Sequence, residues 1–416
     1  MSTSDELFRQ ACARLDGWRE EMIEMQKQLV ARPALGPENG GQGEWERARY
    51  LLEVMSSWGL DDIEQVNAPD QRVPEGNRPN LIVRLGGAKS HPAVCVMAHM
   101  DVVPAGPEDD WDTPPFEAVV KEGRIYGRGV EDNQQGLVSA LFAMRALKAD
   151  GVVPPGDVIL MLVADEETGN SLGIEHVLKS RPDLVGHEDV VVVPDSGNSD
   201  GTMLEVAEKS ILWAKFTVEG RQVHASMPQL GVNAHRAAAS LVCRLDEALH
   251  EKYSRRDPVF DPPESTFEPT RRDANVDNVN TIPGREVLYF DCRILPDIDT
   301  GEVVETMRGV AAEVATRQGV TIDVAEEMLA RAAPATSTSA PVVKLLAEAV
   351  ARVRGVEPKP MGIGGGTVAA LFRHAGIPAV VWSTMDDLAH QPNEYCVIDN
   401  MVEDAKVFSH LYLAAR

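Results

Sequence analysis

Between residues 5 and 31, Leu7, Ala11, Leu15, Trp18, Met22, Met25 and Leu29 recur at three- and four-residue intervals, the spacing of an amphipathic helix. The breakers in RPALGPENGG end that pattern, and residues 43–58 resume it. Short β-branched runs then alternate with helical stretches. NLIVRL (80–85) and AVCVMAHMDVV (93–103) precede a helix near 136–149; DVILMLVADEE (157–167) precedes a helix near 171–179, and EDVVVVPDSG (188–197) follows. This alternation predicts an α/β domain with a mostly parallel sheet. Strands so uniformly apolar require helices on both faces.

The character changes after Lys209. SILWAKFTVEG (210–220) alternates like a half-buried strand, residues 233–250 read as a long helix, and 254–275, rich in Pro, Asp and Arg, read as loop. TIPGREVLYFDCRILPD (281–297) predicts a hairpin strand, 301–318 a helix and VTIDVAEE (320–327) a last strand. This is a compact α+β unit. From about 329 the α/β style returns, with a helix near 340–354, the cluster GIGGG, the strand PAVVW and a final helix. The parse is an α/β domain in two parts, 1–208 and 329–416, interrupted by an inserted α+β domain at 209–328.

Charge narrows the possibilities. Forty basic against 65 acidic residues give a net charge of −25 over 416 residues, and no Lys/Arg run is present. Nucleic acids and anionic membranes require clustered cations, so neither is an expected partner. The first thirty residues carry charges every few positions and nothing approaches a spanning apolar run, so no leader or membrane helix is expected. Five scattered cysteines without a CxxC pair argue against disulfides and thiolate metal sites. A cytoplasmic location is the natural reading. No GxSxG elbow is present, and Cys95 lies in an apolar strand, where a thiol is inert.

The candidate chemistry sits where apolar strands end. AVCVMA runs into His99 and Asp101, the glycine-bearing turn YGRGVEDN presents Asp132 before a helix, and DVILMLVAD delivers Glu166 and Glu167. Asp195 follows VVVVP, and Asp386, Asp387 and His390 follow PAVVW. Taken singly, each has an ordinary explanation: a structural histidine, a helix cap, a strand ending at the surface. Taken together they do not, because converging carboxylates repel unless a cation neutralises them. Two histidines and three carboxylates suit a pair of Zn²⁺, Co²⁺ or Mn²⁺ ions bridged by one carboxylate, with a further carboxylate free to act as base.

HMD, YGRGVEDN, ADEETG, PDSG, GRQVHASMPQLGVNA (220–234) and AHQPNEY (389–395) resemble the M20 metallopeptidase family over nearly the whole chain. That family includes acetylornithine deacetylase, succinyl-diaminopimelate desuccinylase, carboxypeptidase G-like enzymes, aminoacylase and cytosolic dipeptidases. The resemblance implies a zinc-peptidase-like catalytic domain with an inserted lid that forms a homodimer. It implies two divalent ions, with His99 and Asp195 on one, Glu167 and His390 on the other, and Asp132 bridging. Asp101 would buttress His99, and Glu166 would be the general base toward metal-activated water. A cis-like peptide after Asp132 is also implied. His224 matches the histidine that reaches the partner subunit's active site and stabilises the developing oxyanion. Asn280 and Arg293 match positions near substrate polar groups, although Arg293 could equally pair with Asp291. Gly364, Gly365, Gly366 and Thr367 match a loop that meets the substrate carboxylate; alone, such a cluster could also cradle phosphate, but no Lys follows it.

Two departures bear on substrate. Deacetylases, desuccinylases and carboxypeptidase-type members usually carry Glu where this chain has Asp195, whereas dipeptidase and aminopeptidase types carry Asp. The desuccinylase arginine before the first lid strand is replaced here by Ala207-Glu208-Lys209-Ser210. A third departure is Asn133-Gln134-Gln135 after Asp132, where many members have Lys. The resulting expectation is hydrolysis of an amide bond in a small peptide or N-acyl amino acid with a free carboxylate, of dipeptidase type. N-acyl-amino-acid deacylation is the alternative, and a non-catalytic metal- or ligand-binding homologue is the competitor from another class.

Overall fold

In the computed structural model, which describes residues 3–414, the predicted N-terminal helix is two helices, Thr3–Gly17 and Arg19–Val30. The break falls at Trp18, after Gly17. The apolar stripe survives it, and Leu15, Met22, Met25 and Leu29 are all buried. The chain divides into two compact units. One comprises residues 1–206, 336–360 and 371–416, the other residues 207–335 and 361–370.

The first unit is built on a mixed eight-stranded sheet in the spatial order Ile63–Gln65, Leu81–Leu85, Gly156–Val163, Lys89–His99, Val190–Val193, Ala379–Val381, Met203–Glu208, Lys359–Ile363. Its four central strands, Gly156–Val163 to Ala379–Val381, run parallel. Leu81–Leu85 and Met203–Glu208 join them antiparallel on either side. Gly156–Val163 is buried along its entire length, which is why it reads as an unbroken apolar run instead of alternating. The helix Gln134–Ala149 packs on Lys89–His99 and Gly156–Val163, and Pro341–Arg354 on Val190–Val193 and Ala379–Val381. The parallel register brings His99 beside Val163 and Val96 beside Val192. The carboxyl ends of neighbouring strands therefore open onto one edge, the usual place for a site on such sheets.

The second unit is a four-stranded antiparallel sheet, ordered Thr266–Arg272, Arg285–Ile294, Ser210–Glu219, Thr321–Ala330. Leu212, Ala214, Phe216 and Val218 point from Ser210–Glu219 into a core shared with helices Ala234–Lys252 and Thr300–Gln318. Both helices begin at side-chain caps: Asn233 accepts from the Arg236 N–H, and Asp299 from the Glu302 N–H. One expectation fails here. Thr266–Arg272, read as loop from its Pro and Arg content, is a strand paired along Arg285–Ile294, with a register shift between Pro269 and Arg271. It is an edge strand, where Pro is tolerated and exposed polar residues are normal, so pairing with its neighbour overrides composition.

Among the described residues no helix is long and apolar enough to cross a membrane.

Gly136 marks a required close approach. A Cβ built there would lie 2.6 Å from Pro194 Cγ and 2.8 Å from the Pro194 carbonyl oxygen. Gly309, inside Thr300–Gln318, has open space around it. Gly136→Ala should therefore lower stability by about 1–3 kcal/mol through overpacking. Gly309→Ala should raise it by roughly 0.5–1 kcal/mol through helix propensity. Denaturant unfolding of both variants checks the contrast; equal effects would remove the steric argument.

Candidate metal centre

Three adjacent strand ends, one loop and the turn before a helix supply the site. Lys89–His99 ends on His99 itself, Gly156–Val163 leads into the turn Glu166–Thr168, and Val190–Val193 leads into Asp195. Beyond Ala379–Val381 an irregular loop carries His390. Asp132 comes from the turn before Gln134–Ala149, and the Asp132–Asn133 peptide is cis.

The donors form two overlapping groups, His99–Asp132–Asp195 and Asp132–Glu167–His390, each with ligand atoms within 4.8 Å of one another. His99 Nε2 lies 2.9 Å from Asp132 Oδ1 and 3.2 Å from Asp195 Oδ1. His390 Nε2 lies 3.0 Å from Glu167 Oε2 and 3.4 Å from Asp132 Oδ2. The two oxygens of Asp132 thus face different histidines. Nitrogen and oxygen donors without sulfur, in two sets sharing one carboxylate, fit a pair of divalent cations of the Zn²⁺, Co²⁺ or Mn²⁺ type. Glu166 belongs to neither set.

Asp101 acts somewhat differently from its expected role. His99 Nδ1 is 3.1 Å from the backbone oxygen of Asp101 and 3.5 Å from its carboxylate. The backbone carbonyl therefore orients the ring. The Asp101 carboxylate also accepts from the backbone N–H groups of Glu166 (3.1 Å) and Glu167 (3.0 Å), fixing the turn that presents both glutamates. Asp165, counted with the clustered acids in the sequence, turns away. Its φ is 63°, and its carboxylate accepts from Thr168 Oγ1 and the Leu172 N–H and lies 3.7 Å from buried Arg78.

Several residues that hold the site escaped the sequence reading. Asn133 Nδ2 donates to the Pro194 carbonyl and to Asp195 Oδ1, both at 2.6 Å. Glu131 and Glu394 are buried carboxylates that accept from backbone N–H groups of the site loops. Arg78 and Glu44 form a fully buried ion pair. Asn133, Glu131 and Glu394 lie inside the quoted motifs, but nothing in their spacing distinguishes a ligand from its support. Arg78 and Glu44 lie outside every motif.

Crowding of charge sets the protonation states of the metal-free protein. Burial, then the negative charge of Asp195, pushes Glu166 up to about 8. Burial also raises Glu167, against the hydrogen bond from His390. Burial acts upward on Asp132 too, but hydrogen bonds from His390 and His99 outweigh it and hold it well below the usual carboxylate range. Its hydrogen bonds to Asp132 and Glu167 raise His390 to about 10. Burial opposes the charge on His99, yet Asp195, Asp101 and Asp132 together hold it well above the ordinary imidazole value.

The remaining predicted residues lie in the second unit, in two places. Exposed His224 pairs with Thr281 across a short two-stranded ladder, its Nδ1 is 2.8 Å from Ser226 Oγ, and Asn280 Nδ2 is 3.5 Å from its Nε2. Arg293 grips Asp291 through Nε (2.6 Å) and Nη2 (3.0 Å), and its Nη1 donates to the Gly364 carbonyl at 2.9 Å. Arg293 thus makes the expected pair with Asp291 and also holds the glycine loop. Gly365 and Gly366 have open space on their Cα atoms, and the Thr367 N–H and hydroxyl both donate to Glu208.

Residues 95–414 match the model of peptidase family M20/M25/M40. An uncharacterised metallohydrolase of Methanococcus maripaludis is 34% identical over 409 residues, covering 94% of this chain and 98% of the relative. A succinyl-diaminopimelate desuccinylase of Methylobacillus flagellatus is 26% identical over 396 residues, covering 94% and 98%. Among solved structures, the di-peptidase Dug1p of Saccharomyces cerevisiae superposes with a TM-score of 0.70 at 17% identity, covering 98% of each chain; at that identity the likeness establishes the fold. With its histidine and carboxylate donors gathered at the carboxyl edge of the parallel strands, the chain belongs to the M20 peptidase family and is a metal-dependent hydrolase of amide bonds.

Proposed function

We propose that this hydrolase works with two divalent ions, with zinc as the first choice and cobalt or manganese as substitutes, and cleaves dipeptides or comparably small peptides with a free carboxylate. The observation that carries the dinuclear reading is Asp132, whose two oxygens face His99 and His390 separately. His99, Asp132 and Asp195 would hold one ion, and Asp132, Glu167 and His390 the other. When bound, such a pair polarises a carbonyl and brings the pKa of water toward neutrality.

Glu166 is the general base. It is half-buried and belongs to neither donor set, which leaves its carboxylate free to move a proton. It takes a proton from water and delivers it to the leaving amine. His224, with Asn280 beside it, supplies the donor for the developing oxyanion from the partner subunit of a lid-mediated homodimer, as the family resemblance implies. Arg293, with the Gly365–Thr367 loop, receives the substrate carboxylate.

Asp195 and the segment around Glu208 favour a peptide over a succinyl substrate. Lys209 donates from Nζ to the Pro262 and Glu264 carbonyls, while Glu208 holds Thr367, so the ammonium in this segment is already engaged. A second reading, N-acyl-amino-acid deacylation, is supported by the desuccinylase relative at 26% identity. A free-amine release assay across dipeptides, N-acetyl and N-succinyl amino acids separates the two. Cleavage confined to acyl substrates would overturn the peptidase assignment.

Glu166→Gln should retain both ions while turnover falls by at least ~10²–10⁴-fold; near-normal turnover at full metal content would remove Glu166 as base. His224→Ala should lose roughly 10²–10³-fold in kcat at unchanged metal content, and light scattering should give a dimer. A fully active monomer would rule out action across subunits. Ligand nitrogens must be free of protons to bind metal. His390, at about 10 in the metal-free protein, therefore loses its proton on ion uptake at pH 7, and affinity rises with pH as this competition fades. Calorimetry in two buffers of different ionisation enthalpy should register release of at least one proton per chain; none released would contradict this charge arrangement.

A further inference from the structure

We propose that Glu131 and Glu394 form a reciprocal brace that sets the separation of Asp132 and His390, and with it the affinity of the cation position made by Asp132, Glu167 and His390. The inference rests on the dinuclear reading above.

Each of the two loops carries one ligand and one gripping carboxylate. Glu131, next to Asp132, accepts from the backbone N–H groups of Asp386 (2.7 Å) and Leu388 (2.6 Å), on the loop that leads to His390. Glu394, four residues beyond His390, reaches back. Its carboxylate accepts from the backbone N–H groups of Gly129 (2.8 Å), Glu131 (2.9 Å) and Asp132 (3.1 Å) and from Arg128 Nη1 (2.7 Å). Both side chains are buried. A buried carboxylate without such donors is costly, so the two loops hold these acids as firmly as the acids hold the loops.

The brace matters unequally for the two cation positions. His99 ends a central strand, and Asp195 follows another and is held by Asn133. His390 has no such support. It lies in an irregular segment, and it and Asp387 both adopt left-handed backbone conformations, with φ of 64° and 60°. Glu131 therefore serves the His390 position, whereas Glu394 holds the backbone of Asp132, which both positions share. Neither residue touches a cation or substrate; both are positioning residues.

The test is a stepwise Co²⁺ titration of metal-free wild type, Glu131→Gln and Glu394→Gln, followed by calorimetry and by the visible Co²⁺ absorption. Glutamine preserves size but turns a donor toward an N–H group. Supports of this kind contribute 10–100-fold to metal affinity. Glu131→Gln should bind one ion within about threefold of wild type and the second 10–100-fold more weakly, with the second ion and its absorption band restored at high Co²⁺. Glu394→Gln should weaken both ions. A role in general stability alone would lower the unfolding temperature of the metal-free variants and leave both dissociation constants in place. Two ions at wild-type affinity in both variants would overturn the brace. A wild type that takes up fewer than two ions would overturn the dinuclear reading itself, before any variant is compared. If Glu131→Gln does not fold, Glu131→Asp, one methylene short of the Asp386 and Leu388 amides, gives the same readout.

Discussion

Negative charge converging at one sheet edge is the constraint on which this structure depends. Asp132, Glu166, Glu167 and Asp195 meet where the parallel strands end, and Asp101 lies immediately behind them. Such a group is tolerable only with compensating positive charge. In the metal-free protein the carboxylates that His99 and His390 face favour the protonated rings, which offset part of that charge. A divalent cation held by these donors would do the same more effectively. Affinity for metal follows from the electrostatic cost of assembling the carboxylates.

Around this centre the buried charges are arranged in specific pairs. Arg78 pairs with Glu44, Arg128 with Glu394, and Arg373 with Glu205, all buried. Arg47, also buried, donates to the Met100 and Leu29 carbonyls, and burial lowers it to about 10. Breaking such a pair by removing one partner leaves an uncompensated charge and costs about 3–5 kcal/mol. Arg47 and Arg128 each anchor a loop that bears a site residue, Arg47 through the carbonyl between His99 and Asp101. The glycines serve the same assembly: only a residue without Cβ lets the start of Gln134–Ala149 approach Pro194, one residue before Asp195.

The second unit uses its carboxylates for a different purpose. Asp291 occupies one side of the Arg293 guanidinium and accepts from Trp213 Nε1, so the arginine is held in a fixed orientation. Arg293 and Glu208 then pin the glycine loop at Gly364 and Thr367.

The sequence determined the class of fold and the strand ends and loops at which His99, Asp132, Glu167, Asp195 and His390 gather. Apolar runs of 4–8 residues ending in His or Asp/Glu, at Val163, Val193 and His99, mark parallel strands whose ends form a site, because burial on both faces removes polar alternation and chemistry collects where the strands stop. Tertiary structure alone decided which acids face the histidines and which hold the loops that carry them. Asp165 and Glu166 are neighbours in sequence, yet a left-handed φ at Asp165 turns it toward Arg78. Glu131 and Asp132 are equally close, yet one grips a loop more than 250 residues away and the other lies between two histidines. Thr266–Arg272 became a strand for the same kind of reason, since its partner lies elsewhere in the chain. Periodicity reports burial, a local average. Which way a single carboxylate points depends on donors brought to it from distant segments, and no local pattern encodes them.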